Sequence, residues 1–593
     1  MTGIVGGRRT GNELESAVQG LSTPAVKQSW LYEHGDTGLG VVYSDSDPAG
    51  ITTWSDDERA GVIYGSVTNR PELGWSDADL FERLFVRPAK TAKTLEGSFA
   101  IACFDAAEDR HLLFTDKLGA RHVYYTASGP VQYASSVEPL LPVLDDPSLN
   151  LQGVSDMLLI GSMWGENTLV DGVRALHPAT LVTVHEGERT LQRYWKPDYI
   201  EREPTDEYII ELSRRYRQAT RRVSTTLPST AGLWLSGGLD SRTTAAAMVE
   251  QYSPDGFRNL VAYTYDANPP TNDNPKLARK VTRELGMEHR LVPLTAEIIG
   301  ENFERLIEAT DGMVRWNSTA LIGATYGTTP APVMMEGMQG ELLGDHLYRH
   351  HLSKYDTAVA SQLSSEAAVP PETVGKILTE PVNPLDSFAK EATRSPETTV
   401  RETVMDTHFQ NYYGRHSLAG NRIMREFGGS RVIHADGSYL EWCAQLPRAF
   451  RKSALGGQHP SEIGIPLEPA PSKLKLIREI NPTLTNITYE RTKMKPSLPH
   501  PVHAAGFIGN VVVGRLLSKQ TYGNGSLADL WIRDTDSLVH EHVTRLVDAA
   551  CSRDLFDGDE VREVYEGHMD GENNAALLGQ ITTLEHWIGT FLD

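Results

Sequence analysis

Short apolar runs separated by Gly, Asp and Asn turns fill the first 195 residues. Helical patterns intervene near Asp77–Phe85 and Leu151–Leu159. The apolar runs that read as strands are Gly61–Tyr64, Phe99–Phe104, His111–Phe114 and Val123–Tyr125. Strands at such close spacing predict stacked antiparallel sheets, an αββα sandwich once the helical segments are added.

The pattern changes after residues 197–206, a polar stretch with two prolines in which we place a linker. An amphipathic helix over Thr205–Ser224 comes next, and strands then alternate with helices. The predicted strands are Ala231–Leu235, Leu260–Tyr265 and Pro332–Glu336, and the helices between them are Thr243–Tyr252 and Lys276–Leu285. This alternation predicts a parallel sheet with helices on both faces, so the chain divides into domains 1–195 and 205–593.

The remaining patterns are weaker. Residues 355–403 are rich in Ser, Thr, Glu and Pro, which predicts either a mobile insertion or a set of short helices. From Leu440 onward the pattern is mostly helical and ends in a helix over Ala575–Leu592.

Composition narrows the class of protein. The net charge of -22 disfavours binding to nucleic acid, whose phosphates repel an acidic surface. No apolar run approaches the roughly 18 residues needed to span a membrane, and no signal-peptide pattern opens the sequence. The three cysteines lie far apart, which excludes a disulfide framework or thiolate zinc site. We therefore expect a cytoplasmic protein without a membrane or nucleic-acid partner.

The segment Leu235, Ser236, Gly237, Gly238, Leu239, Asp240, Ser241 lies between a predicted strand and a predicted helix. Adjacent glycines let backbone N–H groups approach an anion, and the helix adds its positive end. A carboxylate beside a polyphosphate requires a bridging cation, so Asp240 implies Mg²⁺. No Gly-Lys-[Ser/Thr] follows, so this is not a Walker loop. The alternative is a glycine turn at an Asp-capped helix start.

Ser236–Ser241 resembles the pyrophosphate loop of the asparagine synthetase family, whose members use ATP to adenylate a carboxylate and expel pyrophosphate. The resemblance extends over nearly the whole chain, through Thr115–Tyr125, Tyr133–Leu141, Leu446–Pro447 and Tyr489–Lys493. It implies an Ntn-hydrolase-like αββα sandwich, followed by a PP-loop ATP-pyrophosphatase-type sheet and a helical C-terminal part. Glutamine-hydrolysing asparagine synthetases, β-lactam synthetases and lasso-peptide cyclases belong to this family.

The resemblance also assigns residues to the second half of the ATP site. Glu336–Asp345 is similar to the family's second loop, and alignment on Gly337 puts Glu341 at the position of the metal-sharing carboxylate, with Asp345 as the other candidate. Lys493 matches the lysine that neutralises charge on the transferring phosphate, and Arg491 assists it. The alternatives are a plain helix-start loop and a solvated basic patch. His346 and His350 have metal-binding spacing, but we interpret them as surface histidines.

The first domain departs from the family at the residues needed for glutamine hydrolysis. Thr2 stands where those members have the nucleophilic cysteine, and Tyr64 and Ser66 replace an amide and a carboxylate of the glutaminase site. Losing one oxyanion donor typically costs about 10²–10³ in rate. We therefore expect an inactive first domain, with residual activity of Thr2 as the open alternative.

The resemblance thus implies an ATP- and Mg²⁺-dependent amide-forming ligase with ammonia as its nitrogen source. A macrocyclising synthetase of the lasso-cyclase type is the runner-up, and a nucleotide-binding pseudoenzyme is the alternative from another class. The partners implied are a small-molecule or peptide carboxylate, an amine or ammonia, and either a second copy of the chain or a protein that supplies the substrate.

Overall fold

The first 195 residues form two packed antiparallel sheets. The computed structural model describes residues 2–253, 258–268, 273–347, 349, 351–455, 465–517 and 527–593. The strands of this region are β1 (Gly3–Gly7), β2 (Gln28–His34), β3 (Thr37–Tyr43), β4 (Ile51–Ser55), β5 (Arg59–Val67), β6 (Gly97–Asp105), β7 (Arg110–Thr115), β8 (Tyr124–Thr126), β9 (Gln132–Ala134), β10 (Val173–Ala175), β11 (Thr180–His185) and β12 (Glu188–Arg193). They pair as two six-stranded sheets, in the orders β10-β8-β9-β1-β3-β2 and β12-β11-β7-β6-β5-β4.

Strand sequence explains the layering of these sheets. Alternate residues of β5 and β6, such as Val62 and Ala102, face the other sheet, while Ile63 and Ile101 face outward. Helices cover the outer faces because both faces of these strands are apolar. The helices of this region are α1 (Gly11–Gly20), α2 (Arg70–Leu73), α3 (Asp77–Val86), α4 (Pro88–Thr94) and α5 (Leu151–Ile160). The predicted sandwich is confirmed.

The second part of the chain is built on a five-stranded parallel sheet. Its strands, β13 (Thr230–Trp234), β14 (Asn259–Ala267), β15 (Glu288–Leu294), β16 (Val333–Glu336) and β17 (Gly429–Val432), lie in the order β15-β14-β13-β16-β17. Ala231 and Leu233 of β13 pack on one face, and Trp234 packs on the other. Both faces are covered by helices, as the alternating pattern predicted.

Helices make up most of the remainder. They are α6 (Asp206–Ser224), α7 (Leu239–Tyr252), α8 (Asn274–Leu285), α9 (Ala296–Glu301), α10 (Phe303–Glu308), α11 (Trp316–Gly323), α12 (Ala358–Glu366), α13 (Pro371–Ile377), α14 (Asp386–Arg394), α15 (Val400–Tyr412), α16 (Asn421–Met424), α17 (Gly437–Ala444), α18 (Pro471–Ile480), α19 (His500–Leu517), α20 (Leu527–Arg533), α21 (Leu538–Ala550), α22 (Gly558–Met569) and α23 (Ala575–Phe591). Residues 355–403 are thus a set of short helices. Strands β18 (Ser453–Leu455) and β19 (Ile465–Leu467) form a small hairpin within the mostly helical C-terminal part.

Buried polar contacts join the two parts of the chain. Arg431 in β17 makes a bidentate ion pair with Asp47, at 2.8 and 2.6 Å, and both side chains are almost fully buried. Asp311 accepts a hydrogen bond from Ser136 and pairs with Arg422. Residues 194–205 contain no helix or strand, which suits a linker, although the domain boundaries stay a prediction. None of the helices within the described ranges has the length and apolar character to cross a membrane.

Candidate active site

The loop between β13 and α7 forms the first wall of the site. Helix α7 begins at Leu239, four residues earlier than the sequence predicted, so Asp240 and Ser241 lie in its first turn. No side chain caps that helix, because its N-cap is Gly238. The first-turn N–H groups of α7 are therefore available to an anion, as the dipole of a helix N-terminus favours.

Internal hydrogen bonds hold the loop in shape. The N–H of Ser236 donates to Oγ of Ser241 at 3.0 Å, and the N–H of Gly238 donates to Oγ of Ser236 at 3.1 Å. The N–H of Gly237 donates to Oδ1 of Asn274, the first residue of α8, at 2.8 Å. A side chain at position 237 would meet Leu277 at 2.8 Å. Position 237 therefore needs glycine because α8 packs directly against it.

The loop after β16 forms the second wall. Strand β16 pairs in parallel with β13, so both loops leave the same edge of the sheet. Gly337 packs against Thr244 of α7. At Gly340 a Cβ would lie 2.7 Å from Oδ2 of Asp240 and 2.9 Å from Oδ2 of Asp345. A side chain at position 340 would therefore displace these carboxylates.

Lys473 of α18 bridges the two loops. Its Nζ lies 2.7 Å from Oδ2 of Asp240 and also donates to Oδ2 of Asp345. A second lysine, Lys452, pairs with Glu468 at 2.7 Å and lies 3.4 Å from Oδ1 of Asp345. Both lysine side chains are only 5% exposed, so the pairs form in a region of low dielectric.

The carboxylates respond differently to this environment. Burial opposes ionisation of Asp345, but Lys473 and Lys452 outweigh it and lower its pKa to about 2. Burial dominates at Asp240 and raises its pKa despite Lys473. The pKa of Glu341 is also raised, by burial and by the charges of Asp240 and Asp345. Two lysines therefore keep Asp345 ionised, whereas burial opposes ionisation of Asp240 and Glu341.

The predicted metal ligands lie near one another. Oδ1 of Asp240 and Oε2 of Glu341 are both buried and have no hydrogen-bond partner. Unsatisfied buried carboxylate oxygens are ligands that Mg²⁺ accepts, so these residues fit the ion that the sequence implied. Asp345 is joined to Asp240 through Lys473, whereas Glu341 is linked to both by charge only. The choice between Glu341 and Asp345 stays a prediction.

Lys493 and Arg491 lie beside this network. Nζ of Lys493 is 3.0 Å from Oδ2 of Asp273, the residue before Asn274 of α8, and the lysine side chain is 46% exposed. Nη1 of Arg491 donates to Oε1 of Glu468 at 2.5 Å. Burial opposes ionisation of Arg491, but Glu468 and other anions raise its pKa. Lys493 thus pairs with the neighbour of Asn274, and Arg491 pairs with Glu468, the partner of Lys452.

The three predicted positions of the degenerate glutaminase site are buried. The N–H of Thr2 donates to the backbone carbonyl of Arg425 at 3.2 Å, and Ser66 donates its hydroxyl to the carbonyl of Ala49. The guanidinium of Arg121 stacks 5.0 Å from the centre of the Tyr64 ring. Burial raises the pKa of Tyr64, but Arg425, Arg121 and Arg422 outweigh it and lower that pKa overall. Arginines therefore surround this site.

His346, interpreted as a surface histidine, is partly exposed, with 23% of its side chain accessible. Its Nε2 lies 3.0 Å from Oε2 of Glu366, whose side chain is only 3% exposed. Glu366 at the end of α12 thus gives this ring a carboxylate partner. His350 lies outside the described residues.

Several site residues could not be recognised from local motifs. Lys473, Lys452, Glu468 and Asn274 hold the loops in place, yet they come from four separate segments. The signal for Lys473 was its place on the apolar stripe of α18, where Ile477 and Ile480 follow at helical spacing. A lysine on such a stripe must be paired or solvated, because an unpaired buried charge is costly.

The comparisons with known proteins match both parts of the chain. The model of a glutamine amidotransferase domain matches residues 74–195, and the model for asparagine synthase matches residues 217–368. Asparagine synthetase [glutamine-hydrolyzing] 3 of Bacillus subtilis (strain 168) is 25% identical over 247 residues. That match covers 38% of this chain and 39% of the Bacillus protein.

Two solved structures resemble part of this chain, with low TM-scores. Glutamine phosphoribosylpyrophosphate amidotransferase from B. subtilis, complexed with ADP and GMP, is 9% identical, with a TM-score of 0.26 over 49% of this chain and 91% of that one. An allosteric regulatory enzyme of purine biosynthesis is also 9% identical, with a TM-score of 0.23 over 49% and 80%.

The antiparallel sandwich and the parallel sheet with its two-loop site define a chain with an amidotransferase-type part and a synthetase-type part. The two matched domains and the Bacillus relative support a protein of the asparagine synthetase family.

Proposed function

We propose that this protein is an ATP-dependent amide-forming ligase. It adenylates a substrate carboxylate, releases pyrophosphate and transfers the acyl group to an amine. The observation that carries the proposal is the meeting of the two loops at one edge of the parallel sheet, where Asp240, Asp345 and Lys473 converge. Ligands of open α/β sheets bind at the carboxyl ends of the strands, which is this edge.

The two loops have separate tasks in this proposal. Leu235–Ser241 and Gly337 bind the pyrophosphate half of ATP, with first-turn N–H groups of α7 and the hydroxyls of Ser236 and Ser241 as donors. Asp240 and either Glu341 or Asp345 hold Mg²⁺, which when bound neutralises phosphate charge. The unpartnered carboxylate oxygens described above support this assignment.

The reaction needs two displacements. An oxygen of the substrate carboxylate forms a bond to the α-phosphorus while the bond from that phosphorus to the bridging oxygen breaks and pyrophosphate leaves. The amine nitrogen then attacks the acyl carbon, AMP leaves and the nitrogen loses a proton. Lys493, with Arg491, stabilises the negative charge that develops in these steps. The exposure of Lys493 leaves it able to exchange Asp273 for a substrate.

Ammonia, rather than glutamine, is the proposed nitrogen source. The backbone N–H of Thr2 is hydrogen-bonded to the Arg425 carbonyl. Tyr64 cannot supply the amide, and Ser66 cannot supply the carboxylate, that glutaminase sites have at these positions. Residues 1–195 then act as a scaffold for a synthetase domain over 205–593. The buried contacts between the two parts, such as Asp47 with Arg431, support a structural role.

The test is ATP-dependent pyrophosphate release by the purified protein with Mg²⁺. The arms contain aspartate with ammonium, aspartate with glutamine, or no added acid. Release with ammonium but not glutamine supports an ammonia-using synthetase. Asp240→Asn and Lys493→Ala should abolish release with little loss of fold. Pyrophosphate release that survives both substitutions would contradict the proposed roles of Asp240 and Lys493.

Absence of release in every arm would favour one of the other two functions. If ATP still binds and a peptide substrate later triggers release, the protein is a cyclising synthetase. If ATP binds and no acid or peptide triggers release, it is a nucleotide-binding pseudoenzyme.

A further inference from the structure

Two histidines and a glutamate from three separate segments meet beside the second loop. His346 directly follows Asp345, Glu366 ends α12, and His408 lies in α15. Their separation along the chain means that tertiary packing, not a local motif, brings them together. They are not among the residues assigned to the reaction.

The three side chains lie at coordination range. Nε2 of His346 is 3.0 Å from Oε2 of Glu366, and Nδ1 of His408 is 3.1 Å from Oε1 of the same carboxylate. One potential ligand atom from each residue lies within 4.8 Å of those of the other two. With bonds of about 2.0–2.2 Å, the ligands of a tetrahedral zinc ion are about 3.3 Å apart. The observed spacing needs only small movements to reach that value.

Burial and charge favour a cation at this position. The Glu366 and His408 side chains are each 3% exposed, and that of His346 is 23% exposed. Among the ion pairs of the described residues, Glu366 has only these two imidazoles as cationic partners. The carboxylate also accepts a hydrogen bond from Ser365. Burial opposes ionisation of Glu366, but the two imidazoles hold its pKa well below the ordinary value.

An aromatic wall fixes the orientation of the ligands. The ring of Tyr412 stacks on His346 and on His408, with ring centres 4.3 and 4.7 Å apart. His416 stacks on the Tyr412 ring at 5.2 Å. Packing that fixes ligand rings is a recurring feature of metal sites, because it reduces the entropy lost on binding.

We propose that His346, Glu366 and His408 form a binding site for one divalent transition-metal ion, with Zn²⁺ as the best fit. Two imidazole nitrogens and one carboxylate are a donor set that zinc accepts, with a fourth position left for water. The bound ion ties the second loop to α12 and α15. If the proposed function holds, this connection fixes Asp345 in the ATP site.

The test is the metal content of the full-length protein. After chelation and incubation with ZnCl₂, the wild-type chain should retain about one equivalent of zinc through gel filtration, measured by mass spectrometry of the metal. Co²⁺ in place of Zn²⁺ should give the intense visible absorption of a four-coordinate site. His346→Ala, His408→Ala and Glu366→Gln should each weaken Zn²⁺ binding at least about 100-fold, since each removes a direct ligand.

His416→Ala is the matched control, because it alters the same aromatic stack without removing a ligand. It should retain the equivalent of zinc. Circular dichroism checks that the variants fold, and Glu366→Gln preserves volume if an alanine variant does not. Wild-type chain that retains no zinc, or no more than His346→Ala, would show that the three residues are only a hydrogen-bonded group. That result overturns the inference.

Failure of this inference is distinguishable from failure of the proposed function. Zinc content is measured without ATP, whereas pyrophosphate release is measured with Mg²⁺ on both the zinc-loaded and the chelated protein. Zinc retention without pyrophosphate release in any arm keeps the metal site and contradicts the ammonia-using ligase. Pyrophosphate release without zinc retention keeps the proposed ligase and overturns the metal site.

Discussion

Replacing Lys473 by methionine removes the cation that joins the two loops and keeps a side chain of similar length. The carboxylates of Asp240 and Asp345, which are 23% and 19% exposed, then face each other without this cation. At an effective dielectric constant of about 20, unit charges separated by the 2.7 Å of the Lys473–Asp240 contact attract by about 6 kcal/mol. Desolvation of the charged groups offsets part of this, and removing one partner of a buried pair typically costs about 3–5 kcal/mol. We expect a loss of that size in the free energy of unfolding.

Lys475 provides the control within the same helix. It pairs with Asp206 at 2.8 Å, but its side chain is 34% exposed and that of Asp206 is 84% exposed. Such surface pairs contribute little because water screens them. Urea unfolding followed by circular dichroism compares Lys473→Met with Lys475→Met, and pyrophosphate release is measured on both. Equal stability and equal turnover of the two variants would refute the argument that Lys473 links the loops.

The remaining predictions address other parts of the chain. Gly340→Ala should lower turnover at least tenfold with little effect on folding, because its Cβ would crowd Asp240; pyrophosphate release under saturating ATP checks this. Arg431→Met should lower the free energy of unfolding by about 3–5 kcal/mol by leaving Asp47 buried and unpaired, measured by urea unfolding. Thr2→Ala should leave turnover unchanged; a loss of activity would contradict the inactive first domain. Arg214 and Arg215 lower the pKa of Glu211 from 4.5 to about 2. The ionised Glu211 therefore adds no more than about 1 kcal/mol, after screening, to the free energy of unfolding above pH 4.5, and this stabilisation disappears as the pH falls towards 2. Glu211→Gln should remove this pH dependence, measured by urea unfolding at several pH values.

The sheets were predictable because their periodicity is local. Short apolar runs bounded by turns, such as those of β5 and β6, predicted the sandwich, and strand–helix alternation predicted the parallel sheet. The sequence predicts the start of α7 four residues late, because residues 239–241 belong to the motif that is interpreted as the phosphate-binding loop. In the structure Gly238 takes the N-cap position, which lets the helix begin directly after the glycines.

The site was predictable only where residues form a contiguous motif. Ser236–Ser241 and the loop after β16 could be found in this way, and the structure brings Asp240 and Asp345 together, while the roles of the site residues stay predictions. Lys473 and Asn274 could not be found, because their contacts depend on how α18 and α8 pack on the sheet. The same reason explains why the pairing of His346 with Glu366, which lies 20 residues further along the chain, could not be found.

The hydrogen bonds inside the first loop have a consequence for nucleotide affinity. The N–H groups of Ser236, Gly237 and Gly238 are already satisfied by Ser241, Asn274 and Ser236. A phosphate that takes any of these donors must first break a protein hydrogen bond, so binding exchanges one bond for another of similar strength. The net gain then comes mainly from the uncapped N-terminus of α7 and from cations, which makes binding dependent on ionic strength and lets the product pyrophosphate dissociate when salt competes with it.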